Sequence, residues 1–268
     1  MLVALCSDKG SPGTTTTALA LASARTSGSV LVEADLFGGD LALRLRTRAG
    51  TAFPEAPTVL TLSSAARTVQ APDLVERYAH EVNNRVSVVP GPLVAEQAGT
   101  LMDFEPLGRA LAASSGQVLV DVGRLHAASP MLPVAARADV VLLVARTDTA
   151  SVIRLRERAS RLVPALAASR GAAPRLFPVL VTAARHGVAD AADVARILSE
   201  SPAGPLVVGC GFVAWDQGAV ERLEAGEDPT GRLARSPLLR SSRELWHELG
   251  SRIEPSRRTA PARVGEKA

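Results

Sequence analysis

The stretch Leu2-Val-Ala-Leu-Cys-Ser-Asp-Lys-Gly-Ser-Pro-Gly-Thr-Thr-Thr-Thr17 decides the fold. Leu2–Ser7 reads as a short buried strand. Asp8–Gly13 carries the glycines and proline of a loop, and Thr14–Thr26 sets Ala18, Leu19 and Ala22 on one helical face. Val30–Ala34, entered through a Ser-Gly-Ser turn, reads as a second strand. Strand, glycine loop, helix and strand make a βαβ unit, whose two strands run parallel. Backbone N–H groups in such a loop turn inward and, with the helix N-terminus, form a cradle for phosphate oxygens. Gly10 and Gly13 suit places where the backbone must approach closely or take a positive φ. A hydroxyl in the first helical turn can ligate Mg²⁺.

Outward from this unit the alternation continues. Val86–Val89, Val118–Val122, Val140–Ala145, Leu176–Val181 and Leu206–Cys210 read as strands. Phe104–Ser114, Val152–Ala167, Ala219–Ala225 and Ser241–Ile253 read as helices, the second with Leu155, Ala159, Leu162 and Leu166 on one face. Apolar strands without strict alternation suit a parallel sheet covered on both sides. The expected fold is α/β: a doubly wound, mostly parallel sheet of about seven strands with helices on both faces. Thr47–Pro57 reads as a loop. Residues 1–253 are expected to form one domain, and 254–268 a disordered basic tail.

Composition narrows the function classes. Of 268 residues, 47% are hydrophobic, enough for a sizeable core. The longest apolar stretches fall far short of the roughly 20 residues that span a bilayer. Leu2–Cys6 is too short for a signal peptide and leads straight into Asp8 and Lys9, so a cytoplasmic location is expected. Cys6 and Cys210 lack metal-ligand spacing and read as small buried apolar residues; the scattered histidines form no zinc pattern. Arg252, Arg257, Arg258, Arg263 and Lys267, set against Glu254 and Glu266, account for the whole net charge of +3. The body is therefore near neutral, and aromatics are only 3%; both disfavour a broad nucleic-acid surface. Lys9 and Lys267 are the only lysines.

The loop resembles the deviant Walker A motif of the MinD/ParA family of P-loop ATPases, K-G-G-x-G-K-T-T. The resemblance sets Lys9 at the signature lysine, and Gly10 and Gly13 at the first and last glycines. Ser11 replaces the middle glycine, with Pro12 following it. Thr14 falls where the second lysine belongs, Thr15 on the Mg²⁺-ligating hydroxyl and Thr16 on the hydroxyl after it. In that family the signature lysine reaches the partner subunit's ATP, and the second lysine binds the β- and γ-phosphates. Thr14 removes a positive charge where the nucleotide is most negative, which predicts weakened affinity.

Further segments extend the resemblance. Val30-Leu-Val-Glu-Ala-Asp-Leu-Phe-Gly-Gly-Asp40 resembles the second strand and switch I, with Glu33 at the first acid. Asp35 stands at the second acid, which orients the attacking water or supports the Mg²⁺ shell. Gln117-Val-Leu-Val-Asp-Val-Gly123 resembles Walker B and the start of switch II, which places Asp121 near Mg²⁺ and the Gly123 N–H near the γ-phosphate. Ala138–Ala145 matches the following strand. Gly211-Phe-Val-Ala-Trp-Asp216 resembles the segment bordering adenine. Thr182 stands where the family often has a base-reading Asn.

The resemblance implies ATP and Mg²⁺ as cofactors, with Lys9 and Asp35 as catalytic residues of a weak or absent ATP hydrolysis. It also implies a homodimer and a protein partner in pilus or secretion, division, or chromosome or plasmid partition machinery. The eroded loop resembles the CpaE/TadZ-like branch. That branch usually carries an N-terminal receiver-like domain, which this chain is expected to lack because its loop starts at residue 7. The other reading is a nucleotide-independent scaffold that binds a protein partner. Arg154, Arg158 and Arg161 share a helix side opposite the apolar stripe, either as a solvated face or as a docking surface for a partner or DNA phosphates. The tail lacks the apolar face of a membrane-targeting helix, so no direct membrane anchor is expected.

Overall fold

The computed structural model describes residues 1–9, 12–100 and 103–253. Gly10, Ser11 and the tail 254–268 lie outside the described residues. The strands are β1 (Leu2–Ser7), β2 (Ser29–Glu33), β3 (His80–Glu81), β4 (Val86–Val89), β5 (Val118–Arg124), β6 (Val140–Ala145), β7 (Arg175–Thr182) and β8 (Gly211–Ala214). They form one eight-stranded sheet in the order β3-β4-β2-β5-β1-β6-β7-β8. Every pairing is parallel except that of β3 with β4.

Burial explains the unbroken apolar strands. In β1, Leu2, Ala4 and Cys6 enter one buried cluster, and Val3 and Leu5 enter the other. Successive side chains alternate between faces, so a strand covered on both sides must be apolar throughout. The first face is covered by helices Val59–Ala65, Glu105–Ala113, Thr149–Arg170 and Gly187–Ser199. The second is covered by Thr14–Ala24, Gln217–Glu224 and Pro237–Arg252. Leu155, Ala159, Leu162 and Leu166 are the buried stripe of their helix, as their spacing predicts. Trp246 ties two helices of the second face together, its indole N–H donating to the Leu21 carbonyl at 2.8 Å. Both cysteines are free and buried, and burial pushes both thiols up in pKa, Cys210 to about 12.

The structure adds an edge strand and a helix to the expected pattern and corrects one strand. The sheet has eight strands, because a two-residue antiparallel β3 pairs with β4 at the edge. Leu206–Cys210 is not a strand: Gly204–Leu206 is a 3-10 turn, and only Val207 bridges to Leu176. Pro205 has no N–H to give a ladder. Gly209 and Gly211 take the place of side chains because a Cβ there would lie 2.8 Å from the Phe177 ring and 2.6 Å from Leu245, respectively. The last strand is instead β8, within the segment expected to border adenine. Helix Gly187–Ser199 was not expected; its buried stripe is Gly187, Ala191, Val194 and Leu198. Gly187 is required where its backbone meets the Phe212 ring, 2.2 Å from an added Cβ.

β1 lies between β5 and β6, so chain order reverses on either side of it. In an open parallel sheet the crevice at the strands' carboxyl ends beside such a reversal is where ligands bind. The loops after β1 and β2 and the end of β5 all open there.

Candidate phosphate-binding site

Helix Thr14–Ala24 starts directly after Gly13, which has φ +101° and ψ 30°. Only glycine holds that conformation without strain, and it aims the first helical N–H groups at the crevice. A cavity of about 650 Å³ opens there, lined by Pro12, Gly13, Thr14, Thr15 and Thr16. That volume lies within the roughly 300–1,000 Å³ range of small-molecule sites.

The cavity floor holds two carboxylates. Asp121 on β5 is buried; its Oδ2 accepts from the Thr15 hydroxyl at 2.6 Å and its Oδ1 from the Gly123 N–H at 2.9 Å. Asp35 follows β2 and accepts from the Phe37 N–H at 3.0 Å. Gly123 has φ +63°, and an added Cβ would lie 2.3 Å from the Asp35 carboxyl carbon. Its glycine is what lets the second carboxylate sit against the first. Burial pushes Asp121 up to about 6, the Thr15 and Gly123 hydrogen bonds pull it down, and the Asp35 charge adds to the rise.

A hydroxyl and two crowded carboxylates are hard oxygen donors, the set that Mg²⁺ takes. The unfavourable ionisation of Asp121 is what a divalent cation would relieve. Thr15, Asp35 and Asp121 therefore fit such an ion. The Thr14 hydroxyl is buried and has no hydrogen-bond partner among the described residues, an orphaned polar atom at the place where the resemblance puts a lysine.

The structure brings Pro12, Gly13, Thr14, Thr15, Thr16, Asp35, Asp121, Gly123 and Asp216 to this one cavity. Asp216 also caps helix Gln217–Glu224 by accepting from the Ala219 N–H at 3.1 Å. Two expected residues lie elsewhere. Thr182 is not in the cavity wall; it ends β7, and its hydroxyl donates to Asp190 in the first turn of helix Gly187–Ser199 at 2.9 Å. Lys9 is exposed and lines a smaller neighbouring recess with Asp8, Arg154 and Arg158. The arginine face of helix Thr149–Arg170 is divided: Arg158 pairs with Asp8, and Arg161 with Glu157 on its own helix.

Sequence reasoning missed three features. Arg44 enters the cavity, its Nη2 donating to the Thr16 hydroxyl at 3.0 Å, and pairs with Glu224. Arg146 lies over the Trp215 ring, 4.7 Å from its centre, at the same cavity's rim. Glu33 is a buried clasp: Oε1 accepts from the N–H groups of Asp40 and Leu41 at 2.8 and 3.1 Å, and Oε2 from that of Gly91 at 3.0 Å. It thereby pins the loop carrying Asp35 to the turn after β4.

Burial pushes Glu33 up to about 7, against the pull of its three donors. A carboxyl with a raised folded pKa binds its proton more tightly when folded. Its stabilisation is complete below the unfolded value near 4.5 and is lost as pH rises through about 7. Metal-free protein is therefore expected to lose stability from pH 4.5 to 7, with Glu33 contributing on the order of 3 kcal/mol. Urea unfolding across that range checks this, and Glu33→Gln should flatten the slope. An unchanged slope in that variant would remove Glu33 as the source.

Comparison with known proteins bears on the fold. No family model matches the chain, and no curated protein does. Among solved structures, the ParA family ATPase from Chlorobium tepidum TLS is 16% identical with a TM-score of 0.65, over 91% of this chain and 96% of that one. The cell division ATPase MinD of Pyrococcus furiosus is 18% identical with a TM-score of 0.63, over 93% and 98%. A Cyanothece McdA variant in complex with ATP is 16% identical with a TM-score of 0.64, over 94% and 96%. The chain has the MinD/ParA-like fold. No helix among the described residues is long and apolar enough to cross a membrane.

Proposed function

We propose that this chain is a MinD/ParA-like nucleotide-binding protein, an ATP-responsive dimer that positions cellular machinery and hydrolyses ATP weakly or not at all. The observation that carries the reading is the convergence of Gly13, Thr15, Asp35, Asp121 and Gly123 on one nucleotide-sized cavity at the switch point of the sheet. In this reading the first-turn N–H groups of helix Thr14–Ala24 hold phosphate oxygens, and Thr15, Asp35 and Asp121 hold Mg²⁺. Mg²⁺ would neutralise phosphate charge. Asp35 orients a water, while the Gly123 N–H holds the Asp121 carboxylate in place. The solved structures of similar fold include a McdA–ATP complex, which supports the choice of nucleotide.

Lys9 is exposed and lines the recess beside the cavity, where it is open to a second subunit. Sedimentation with Mg-ATP is therefore expected to give a dimer that Lys9→Ala weakens at least about tenfold. A dimer indifferent to both ATP and Lys9 would remove the shared-site model.

A nucleotide-independent scaffold is the second reading. It is favoured by Thr14 in the lysine's place and by the carboxylate of Glu224 already paired with Arg44 inside the cavity. Partner proteins of partition, division or secretion systems fit either reading. DNA is the weaker partner, since two of the three helix arginines already have carboxylate partners.

A further inference from the structure

The cavity lacks the lysine of the phosphate loop but not a cation. We propose that Arg44 supplies the phosphate-binding positive charge that Thr14 does not, and that Glu224 holds Arg44 as an internal competitor for the phosphate. The inference rests on the nucleotide reading above and deepens it.

Among the described residues, three arginines line the cavity: Arg44, Arg124 and Arg146. Arg146 stacks on Trp215, and Arg124 is exposed at the end of β5. Arg44 is the one bonded to the helix that the phosphate loop feeds, through the Thr16 hydroxyl, two residues beyond the missing lysine.

The guanidinium is held at the cavity by a carboxylate that is itself part of the lining. Nε donates to Glu224 Oε1 at 3.0 Å, and Nη2 meets the same oxygen. The two side chains are only 27% and 23% exposed, and both line the cavity. A guanidinium fork matches phosphate as well as it matches carboxylate. An arriving polyphosphate can therefore take the fork from Glu224, and the released carboxylate can turn to the water of the open cavity. Affinity is then set by the difference between two anions competing for one cation.

The two halves of the pair must consequently act in opposite directions. Titration calorimetry of the full chain with Mg-ATP, and separately with inorganic tripolyphosphate, reads this. Arg44→Ala is expected to weaken both at least about tenfold, Arg44→Lys to weaken both less than Arg44→Ala does because it keeps the charge but not the fork, and Glu224→Gln to tighten both about threefold to tenfold. Melting of each variant in parallel reports folding. If the pair is only a tie between two helices, both variants lower stability and shift affinity the same way or not at all, which overturns the proposal. If Thr14→Lys binds Mg-ATP while Glu224→Gln gains nothing over the parent, the proposal falls and the nucleotide reading stands. If none of these proteins binds, the nucleotide reading falls and takes the proposal with it.

Discussion

Thr14→Lys is expected to tighten Mg-ATP binding at least about tenfold. Thr14 is the first residue of its helix, is buried in the cavity wall, and carries a hydroxyl with no partner among the described residues. Nothing bonded to that hydroxyl is lost on substitution. A lysine there would send its stem along the wall and its ammonium into a cavity of about 650 Å³. A charge-assisted hydrogen bond in a sheltered site contributes about 1.5–3 kcal/mol, and 1.4 kcal/mol is tenfold in affinity. The gain should appear for the triphosphate and be small for adenosine, which offers no anion. Calorimetry with both ligands separates these effects. Unchanged ATP affinity in a folded Thr14→Lys protein would mean that the loop does not hold phosphate.

The largest stability effect is expected at Glu33. Glu33→Ala removes the acceptor for the N–H groups of Asp40, Leu41 and Gly91 at once. The pocket around the carboxylate is tight: an added Cβ on Gly39 would lie 2.3 Å from Oε2, and one on Gly91 would lie 3.0 Å from Cγ. Each buried donor left unpaired costs about 1–3 kcal/mol, partly recovered if water enters. The expected loss is about 3–5 kcal/mol in urea unfolding near pH 4.5, where the contribution of Glu33 is complete, and smaller at pH 7. Glu33→Gln should cost less, because its remaining carbonyl oxygen still accepts. The loss should also reach function, since the clasp fixes the loop that carries Asp35. A cost below about 1 kcal/mol would show that the three N–H groups find other partners.

The parts of the site written in local grammar were legible in the sequence. A strand, a glycine turn and a helix of small residues specify the cradle through neighbouring residues alone, and Thr15 follows from its place in the first turn. Asp35 and Asp121 were legible as acids at or near the ends of apolar strands. Their meeting depends on β5 inserting between β1 and β2, as the doubly wound pattern implies. Arg44 and Glu224 were not legible, because they stand 180 residues apart and only tertiary packing joins them. Glu33 was visible as an acid, but its role lies in donors from two distant turns. Thr182 stands where the resembled family has a base-reading Asn, and its hydroxyl donates to the nearby Asp190. Val207 and Val208 have strand-like side chains, but Pro205 sits in a 3-10 turn just before them and the strand begins only at Gly211.

The central claim is that the cavity between the phosphate loop, Asp35 and Asp121 binds Mg-ATP. Titration calorimetry of the unmodified chain with Mg-ATP, repeated with chelator in place of Mg²⁺, tests it most directly. Saturable binding of one nucleotide per chain is expected, weaker without Mg²⁺ because Asp35 and Asp121 then face the phosphates uncompensated. Absence of binding at millimolar Mg-ATP, both in this chain and in Thr14→Lys, would contradict it and leave a scaffold with a MinD/ParA-like fold.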